Sequence, residues 1–499
     1  MPTTATEIRE RWLTIALPTV ATWGFCAYQI GASQFRGDEL CTWWAATLPR
    51  ESFDFLVDHV DAVLSPYYLL MRGWVRFFGD SEAAMRTPAA LAMGLCAGLV
   101  AALGTRLFSR GVGLRAGLVF AVLPVVSRYG QEVRPYAFAA LFATLSSVLV
   151  LRLLEKPRSF WRAAAYAAAL TALGLSHIVA LLVLPAHAAC FLRTTRQKPY
   201  VSIAWRPFRS FALAAATSLG CVSALIVTGA HQLSDQIGRH GTMAELEALA
   251  RAMIDGSTLG SLVIGLAIGV LALRASFSSR QPIMLRLWAA VPPVFLLTMY
   301  SVLHLWALRY TVFTLPALAL LAANALDRPA ASQRFRLCLT TVSVVAVLAL
   351  GWSMHIKTRS SLARSSGDYR AMADDLARLA APGDAVAFGG SKVIPRIPRL
   401  ALAYELRHGP ELTDVFMSKS MREMGLFVAE ECEDPHACLS PTVQRLWLVT
   451  NAPPANLFEG LPRARAQLLA QEFVVREIHQ HWRANLALLV RRSVDDRAE

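Results

Sequence analysis

The apolar run WLTIALPTVATWGFCAYQI (residues 12–30) passes directly into GASQFRGDEL (residues 31–40). The first segment holds no Asp, Glu, Lys or Arg. It matches the roughly 20 residues a helix needs to cross a bilayer, so 12–31 is read as a first span. The second segment is too polar for lipid and opens a loop, 32–86, that closes at the next apolar run, 87–105. The acids of this loop (Asp38, Glu39, Glu51, Asp54, Asp58, Asp61, Asp80, Glu82) outnumber the bases Arg36, Arg50, Arg72 and Arg76. The whole chain carries +14, so the loop reverses the overall sign of charge.

Of the 499 residues, 55% are hydrophobic and the mean hydropathy is +0.42. Soluble domains average roughly 45–50% apolar, and the excess here is gathered into membrane-length runs. The chain is therefore mainly α and polytopic in a membrane. Its basic residues concentrate in alternate short loops, as the positive-inside rule requires, which argues against nucleic acid as a partner. The eight cysteines form no CxxC and no Cys/His set of zinc spacing. The first apolar run lacks a small-residue cleavage site and is expected to stay in the protein.

Eleven spans are expected, near 12–31, 87–105, 114–127, 135–151, two short ones within 163–192, then 210–228, 258–273, 287–303, 310–326 and 337–355. Arg106, Arg110 and Arg115, then Arg152, Lys156, Arg158 and Arg162, and later Arg193, Arg196, Lys198, Arg206 and Arg209 mark alternate loops as cytoplasmic. Reading 163–192 as two spans that turn near Ser176-His177 preserves this asymmetry. The expected topology has a cytoplasmic N-terminus, with the first loop and the C-terminal residues outside. Two domains follow: 1–356 in the membrane, including the loop 32–86, and 357–499 outside it. Within the latter, Tyr369–Leu379 reads as an amphipathic helix, and 384–388, 445–450, 472–478 and 486–490 read as strands of a small α/β domain. In an oxidising compartment Cys432 and Cys438 are able to pair.

Ionisable groups at a membrane face are costly and are read as functional. The topology brings Asp38, Glu39, His59, Asp61, Glu132, Arg134, His177, His304, Arg309 and Tyr310 to the outer face, with Tyr67 and Tyr68 in the run Ser65 to Trp74. Asp38 is read either as an N-cap of a short helix, 40–48, or as a base held at that helix's start. Arg134 precedes Pro135 at a helix start, where a cation is disfavoured, so an anionic partner is expected: Glu132 or a ligand phosphate. Arg309-Tyr310 is read either as a snorkelling anchor with a belt aromatic or as part of the site. Pro66–Phe78 reads as an amphipathic helix on the membrane surface.

The Asp-Glu pair after the first span, the run SPYYLLMRGWVRFFGDSEAAMRTPAAL (65–91) and QEVRPYA (131–137) resemble the GT-C glycosyltransferases that use polyprenyl-phosphate sugars. The nearest branch is bacterial family 39, with protein O-mannosyltransferases and lipid A aminoarabinose transferases. The resemblance spans residues 10–330 and departs from the family at Ser65, where many relatives carry His-Pro-Pro. It implies a GT-C fold of about 11 transmembrane helices, amphipathic helices in the first outer loop, and transfer with inversion. Asp38 matches the catalytic aspartate and Glu39 its companion. A phosphate-linked sugar is already activated, so a carboxylate at the acceptor hydroxyl and arginines at the phosphate suffice; Arg134 and Arg309, with Tyr310, are the phosphate candidates. No cofactor is demanded, and a divalent Mg or Mn on Asp38 and Glu39 is an option left open.

The expected function is transfer of mannose, or another hexose or pentose, from a polyprenyl-phosphate donor to a glycan, lipid or protein outside the bacterial cytoplasmic membrane. Two rivals are a transporter or flippase of lipid-linked sugars, which calls for broken spans and mid-membrane charges, and a non-catalytic glycan-binding scaffold.

Overall fold

The computed structural model describes residues 5–196, 201–236, 257–277, 282–300, 308–327, 332–363, 365–389 and 396–492. In chain order the helices through residue 359 are α1 (Ala5–Ala27), α2 (Gly37–Thr47), α3 (Arg50–His59), α4 (Ser65–Phe78), α5 (Glu82–Leu107), α6 (Arg110–Val122), α7 (Pro124–Gly130), α8 (Tyr136–Glu155), α9 (Phe160–Ser176), α10 (Leu184–Arg196), α11 (Val201–Gln236), α12 (Leu259–Ser276), α13 (Ile283–Thr298), α14 (Leu315–Ala325) and α15 (Gln333–Arg359). The chain forms two compact units. One comprises 1–32, 61–70 and 83–359; the other comprises 33–60, 71–82 and 360–499. The first loop is thus divided, and most of it folds with the C-terminal residues rather than with the spans.

In the helical unit, five helices among the described residues are long and apolar enough to cross a membrane: Glu82–Leu107, Tyr136–Glu155, Phe208–Gln232, Leu259–Ser276 and Gln333–Arg359. The run expected as a straight span at 114–127 is instead α6 followed by α7, bent by 64°. Pro124 is the cause. It has no N–H to continue the α6 ladder, and it holds Leu123 extended at ψ 127°. The turn expected near Ser176-His177 is present: α9 ends at Ser176, His177 is extended, and a 3-10 segment, Ile178–Val183, precedes α10. A second 3-10 segment, Leu308–Thr314, replaces the start of the expected span at 310–326. Between apolar helices the packing rests on small residues. A Cβ on Gly113 of α6 would stand 2.3 Å from the Ala101 carbonyl oxygen of α5, an approach that only glycine permits.

The second unit is built on a five-stranded sheet. In chain order, α16 (Tyr369–Leu379), β1 (Ala385–Phe388), α17 (Arg396–Glu405), β2 (Thr413–Asp414), β3 (Met417–Lys419), α18 (Met421–Met424), β4 (Glu430–Glu431), α19 (Pro435–Cys438), β5 (Arg445–Thr450), α20 (Arg463–Glu472), β6 (Phe473–His481) and β7 (Ala484–Arg491) follow. The sheet order is β2-β1-β5-β7-β6. β1 is parallel to β2 and β5, and β7 is antiparallel to β5 and β6. β5, five of whose six residues are buried, supplies the centre, where Trp447 donates its Nε1 proton to Asp384 at 2.8 Å. Arg399 is buried between Asp414 (2.8 Å) and Glu431 (2.6 Å), a pairing that a buried guanidinium requires. Cys432 and Cys438 form a disulfide.

Parts of the first loop are built into this unit. Trp43 donates to Asp80 at 3.0 Å, and Trp44 to the Leu426 carbonyl at 3.2 Å. Tyr404 packs against Phe35 and Trp43, with ring centroids at 4.7 and 5.1 Å. Beside it, Arg370 pairs with Glu82 and lies 3.6 Å from Glu405. Burial raises the Glu405 carboxyl to about 7; Arg370 and Arg407 oppose the shift and Glu82 adds to it. A carboxyl raised in the folded state stabilises fully below its ordinary pKa and loses that contribution as pH climbs through about 7. Glu405→Gln should therefore flatten the fall in melting temperature between pH 5 and pH 8, measured on the purified full chain; equal slopes for variant and parent would refute the assignment.

Candidate functional site

In the helical unit the motif QEVRPYA begins as an anchor. Gln131 donates from Nε2 to the carbonyls of Cys26 and Tyr28, each at 2.8 Å. Arg359 donates to Phe25 (2.6 Å) and Tyr28 (3.2 Å), and Arg86 to Ile30 (3.0 Å). Phe25 and Cys26 are in the last turn of α1, whose carbonyls a helix end leaves without partners, and Tyr28 and Ile30 lie just beyond it. The chain turns there through Gln29, at φ 53°.

The motif then delivers Glu132, buried at 1% exposure, and Arg134, whose N–H donates to the Glu132 carbonyl at 2.8 Å. Pro135 caps α8 and Tyr136 opens it. The Tyr136 ring lies 5.8 Å from His177, and His177 lies 5.3 Å from Tyr310. The Arg309 guanidinium stands 5.5 Å from the Tyr310 ring centre. Tyr136 is within electrostatic range of Arg134, Arg309, Tyr310 and Glu132. Burial lowers His177 to about 4, and Arg134 and Arg309 push it the same way. The imidazole is therefore neutral at physiological pH. Its Nδ1 is buried with no hydrogen-bond partner among the described residues.

The structure thus brings Glu132, Arg134, His177, Arg309 and Tyr310 into one neighbourhood. Tyr136 joins them; its place in the motif, one residue beyond Arg-Pro, was the available signal. Chemically, this is two permanent cations, one buried carboxylate, a neutral imidazole and two phenols, and guanidiniums are the groups that bind phosphate bidentately.

Other candidates have different surroundings. Asp61 accepts from the Tyr68 hydroxyl at 2.7 Å, and Tyr67 packs edge-on to Phe138 with ring centroids 6.1 Å apart. His59, in the second unit, is exposed at the end of α3; it stacks on Phe55 at 4.1 Å and its Nδ1 is 3.0 Å from the Phe55 carbonyl. His304 lies outside the described residues.

In the second unit, α2 starts at Gly37 and not at residue 40. A Cβ on Gly37 would meet Ile397 at 2.4 Å, so glycine lets the helix start against α17. The N-cap is Arg36, which removes the capping reading of Asp38. Asp38 sits within the first turn, where the helix dipole favours a carboxylate, and is partly exposed. Glu39 is buried at 1% exposure; its carboxylate accepts from the Arg36 backbone N–H at 3.1 Å. Glu39 therefore holds the helix start. Among the described residues no three His, Cys, Asp or Glu side chains come together to hold a metal ion.

Residues 66–206 match the family described as dolichyl-phosphate-mannose-protein mannosyltransferase. The sequence has no significant match among curated proteins. Among solved structures, ArnT from Cupriavidus metallidurans bound to undecaprenyl phosphate is similar, with TM-score 0.60 and 15% identity over 97% of this chain and 98% of that one. ArnT in the apo state gives 0.56 and 15% over 95% and 97%. An oligosaccharyltransferase from Archaeoglobus fulgidus gives 0.49 and 12% over 92% and 71%. The two ArnT matches run through both units, from the spans to the small C-terminal sheet, and the chain has the GT-C glycosyltransferase fold.

Proposed function

We propose that the protein is an integral-membrane glycosyltransferase that moves a sugar from a polyprenyl-phosphate donor to an acceptor outside the cytoplasmic membrane. The observation that carries this reading is the neighbourhood of His177, where Arg134 and Arg309 bring two fixed positive charges to one end of a helical unit otherwise suited to lipid. Buried Glu132 sets one negative charge against these two; in a lipid-facing fold such groups are read as functional, and a lipid-linked phosphate is an anion that can reach them from the bilayer. The bond between the sugar's anomeric carbon and the phosphate oxygen breaks, and the phosphate leaves with the electron pair. The guanidiniums neutralise its growing charge.

Asp38 is assigned the acceptor side: it takes the proton of the attacking hydroxyl, so that the new carbon–oxygen bond forms with inversion. Glu39 is a positioning residue that fixes the first turn of α2. Mannose, another hexose or a pentose is the expected sugar, and a glycan, lipid or protein of the cell envelope the acceptor.

Asp38→Asn should lower transfer by about 10²-fold or more, the usual contribution of a general base, while the variant remains folded in membranes. The assay supplies a panel of radiolabelled polyprenyl-phosphate sugars to purified protein; normal turnover in the variant would refute the mechanism. In the same assay Arg134→Ala should raise the apparent KM for donor roughly tenfold, the worth of a hydrogen bond to a charged group, with the acceptor KM little changed; an unaltered donor KM would remove the phosphate role. Glu39→Ala should cost about 1 kcal/mol of stability through the lost cap. Glu39→Gln, which still accepts from the Arg36 N–H, should melt within a degree or two of the parent; equal losses would mean that the charge and not the cap matters.

A further inference from the structure

At the far end of α8 from Tyr136, the helical unit holds a cavity of about 510 Å3 lined by Arg11, Arg106, Arg110, Arg152 and Glu155, with Thr14 at its side. The length of α8, 20 residues, separates it from the His177 neighbourhood by roughly 30 Å, about the thickness of a bilayer core. The cavity therefore lies at the opposite membrane face and belongs to no part of the reaction described above.

Its charges are unevenly balanced. Glu155 pairs with Arg106 and Arg162, and Glu10 pairs with Arg110, whose Nε also donates to Thr14 at 2.9 Å. Arg11 and Arg152 have no ion-pair partner among the described residues. The cavity thus presents two uncompensated guanidiniums beside two already held in place by carboxylates. A second hollow of about 240 Å3, lined by Ile8, Trp12 and Ile15, shares Arg11 and Ile15 with the first. Its walls are apolar apart from Arg11. The rings of Trp12, Phe160 and Trp161 are 68%, 72% and 79% exposed, and Trp12 follows Arg11 directly. Such rings gather at the headgroup level of a membrane.

We propose that this double cavity binds an anionic phospholipid of the leaflet at the N-terminal end of α1, with the phosphate between Arg11 and Arg152 and an acyl chain along Ile8, Trp12 and Ile15. Basic pockets between transmembrane helices hold anionic headgroups in this way. The apolar hollow beside the cations distinguishes a lipid from a soluble phosphate, which would have no use for it.

The test uses the purified full chain in detergent, with lipid retention read by native mass spectrometry during titration with dioleoylphosphatidylglycerol, dioleoylphosphatidylcholine or inorganic phosphate. Phosphatidylglycerol should be retained, phosphatidylcholine should not, and phosphate at equal concentration should fail to displace the lipid. The double variant R11Q/R152Q should lose roughly thirtyfold in apparent affinity, the worth of two basic residues at a membrane surface. R11K/R152K, which keeps both charges, should stay within a few-fold of the parent. Equal retention of the zwitterionic lipid, displacement by phosphate, parental affinity in the Gln pair, or a loss in the Lys pair as large as in the Gln pair would each overturn the proposal.

Discussion

The capture of the last carbonyls of α1 is the interaction on which the helical unit depends. Away from water an unpaired carbonyl costs several kcal/mol, and a helix end leaves four of them. Here Gln131 and Arg359 reach the carbonyls of Cys26 and Phe25 in the last turn of α1, and with Arg86 they hold those of Tyr28 and Ile30 just beyond it, from three separate parts of the chain. Each of the three is buried below 9% exposure, so each needs those acceptors as much as they need donors. The helix end, the start of the motif at 131 and the end of α15 are thereby fixed to one another. Arg359 is steadied in turn by His355, which contacts Ser127 at 3.0 Å and the Val122 carbonyl at 3.1 Å. The bend that Pro124 forces between α6 and α7 frees that carbonyl.

This anchor explains why one short motif does two things. The Gln131 end is structural and the Arg134 end faces charge chemistry, with Glu132 buried between them. Pro135 stops the turn and begins α8, so Tyr136 starts a rigid helix at the level of His177 and Tyr310. The Tyr310 ring gives Arg309 a polarizable neighbour, and the depressed basicity of His177 follows first from burial and then from the nearby cations Arg134 and Arg309. Under the proposed function the donor phosphate would meet these groups already in place, which is the preorganisation that electrostatic catalysis needs.

Much of this was legible in the sequence. Membrane-length apolar runs, one-sided arginines and the motifs at 65–91 and 131–137 led to the fold class. The strand pattern of the C-terminal residues led to β1, β5, β6 and β7. Three things were not legible. A two-residue strand such as β2 has no periodicity to read. The bend at Pro124 competes with the hydropathy of 114–127, which reads as continuous. The division of the first loop depends on Trp43, Trp44 and Tyr404 finding one another across more than 300 residues of chain, and no local pattern encodes such pairings. The start of α2 shows the same limit: the sequence places the helix at 40–48, and only the packing of Ile397 against Gly37 shows why it begins three residues earlier.

The acidity of the first loop can now be placed residue by residue. Asp80 accepts from Trp43 and lies 3.3 Å from Arg407; Glu82 pairs with Arg370; Asp61 holds Tyr68; Glu39 holds the start of α2; and Asp54 makes an exposed contact with Arg50 that contributes little. Four of the loop's acids, Glu39, Asp61, Asp80 and Glu82, are thus partners to backbone, tyrosine, tryptophan and arginine within folded units, while Glu51, Asp54 and Asp58 are exposed. Bulk charge was therefore a poor guide to chemistry, and position is a better one. Asp38 stands on the first turn of a helix whose start is held by Glu39 on one side and packs against Ile397 at Gly37 on the other. Under the proposed function, a helix start held in this way gives the Asp38 carboxylate the fixed position that a base at an acceptor hydroxyl requires.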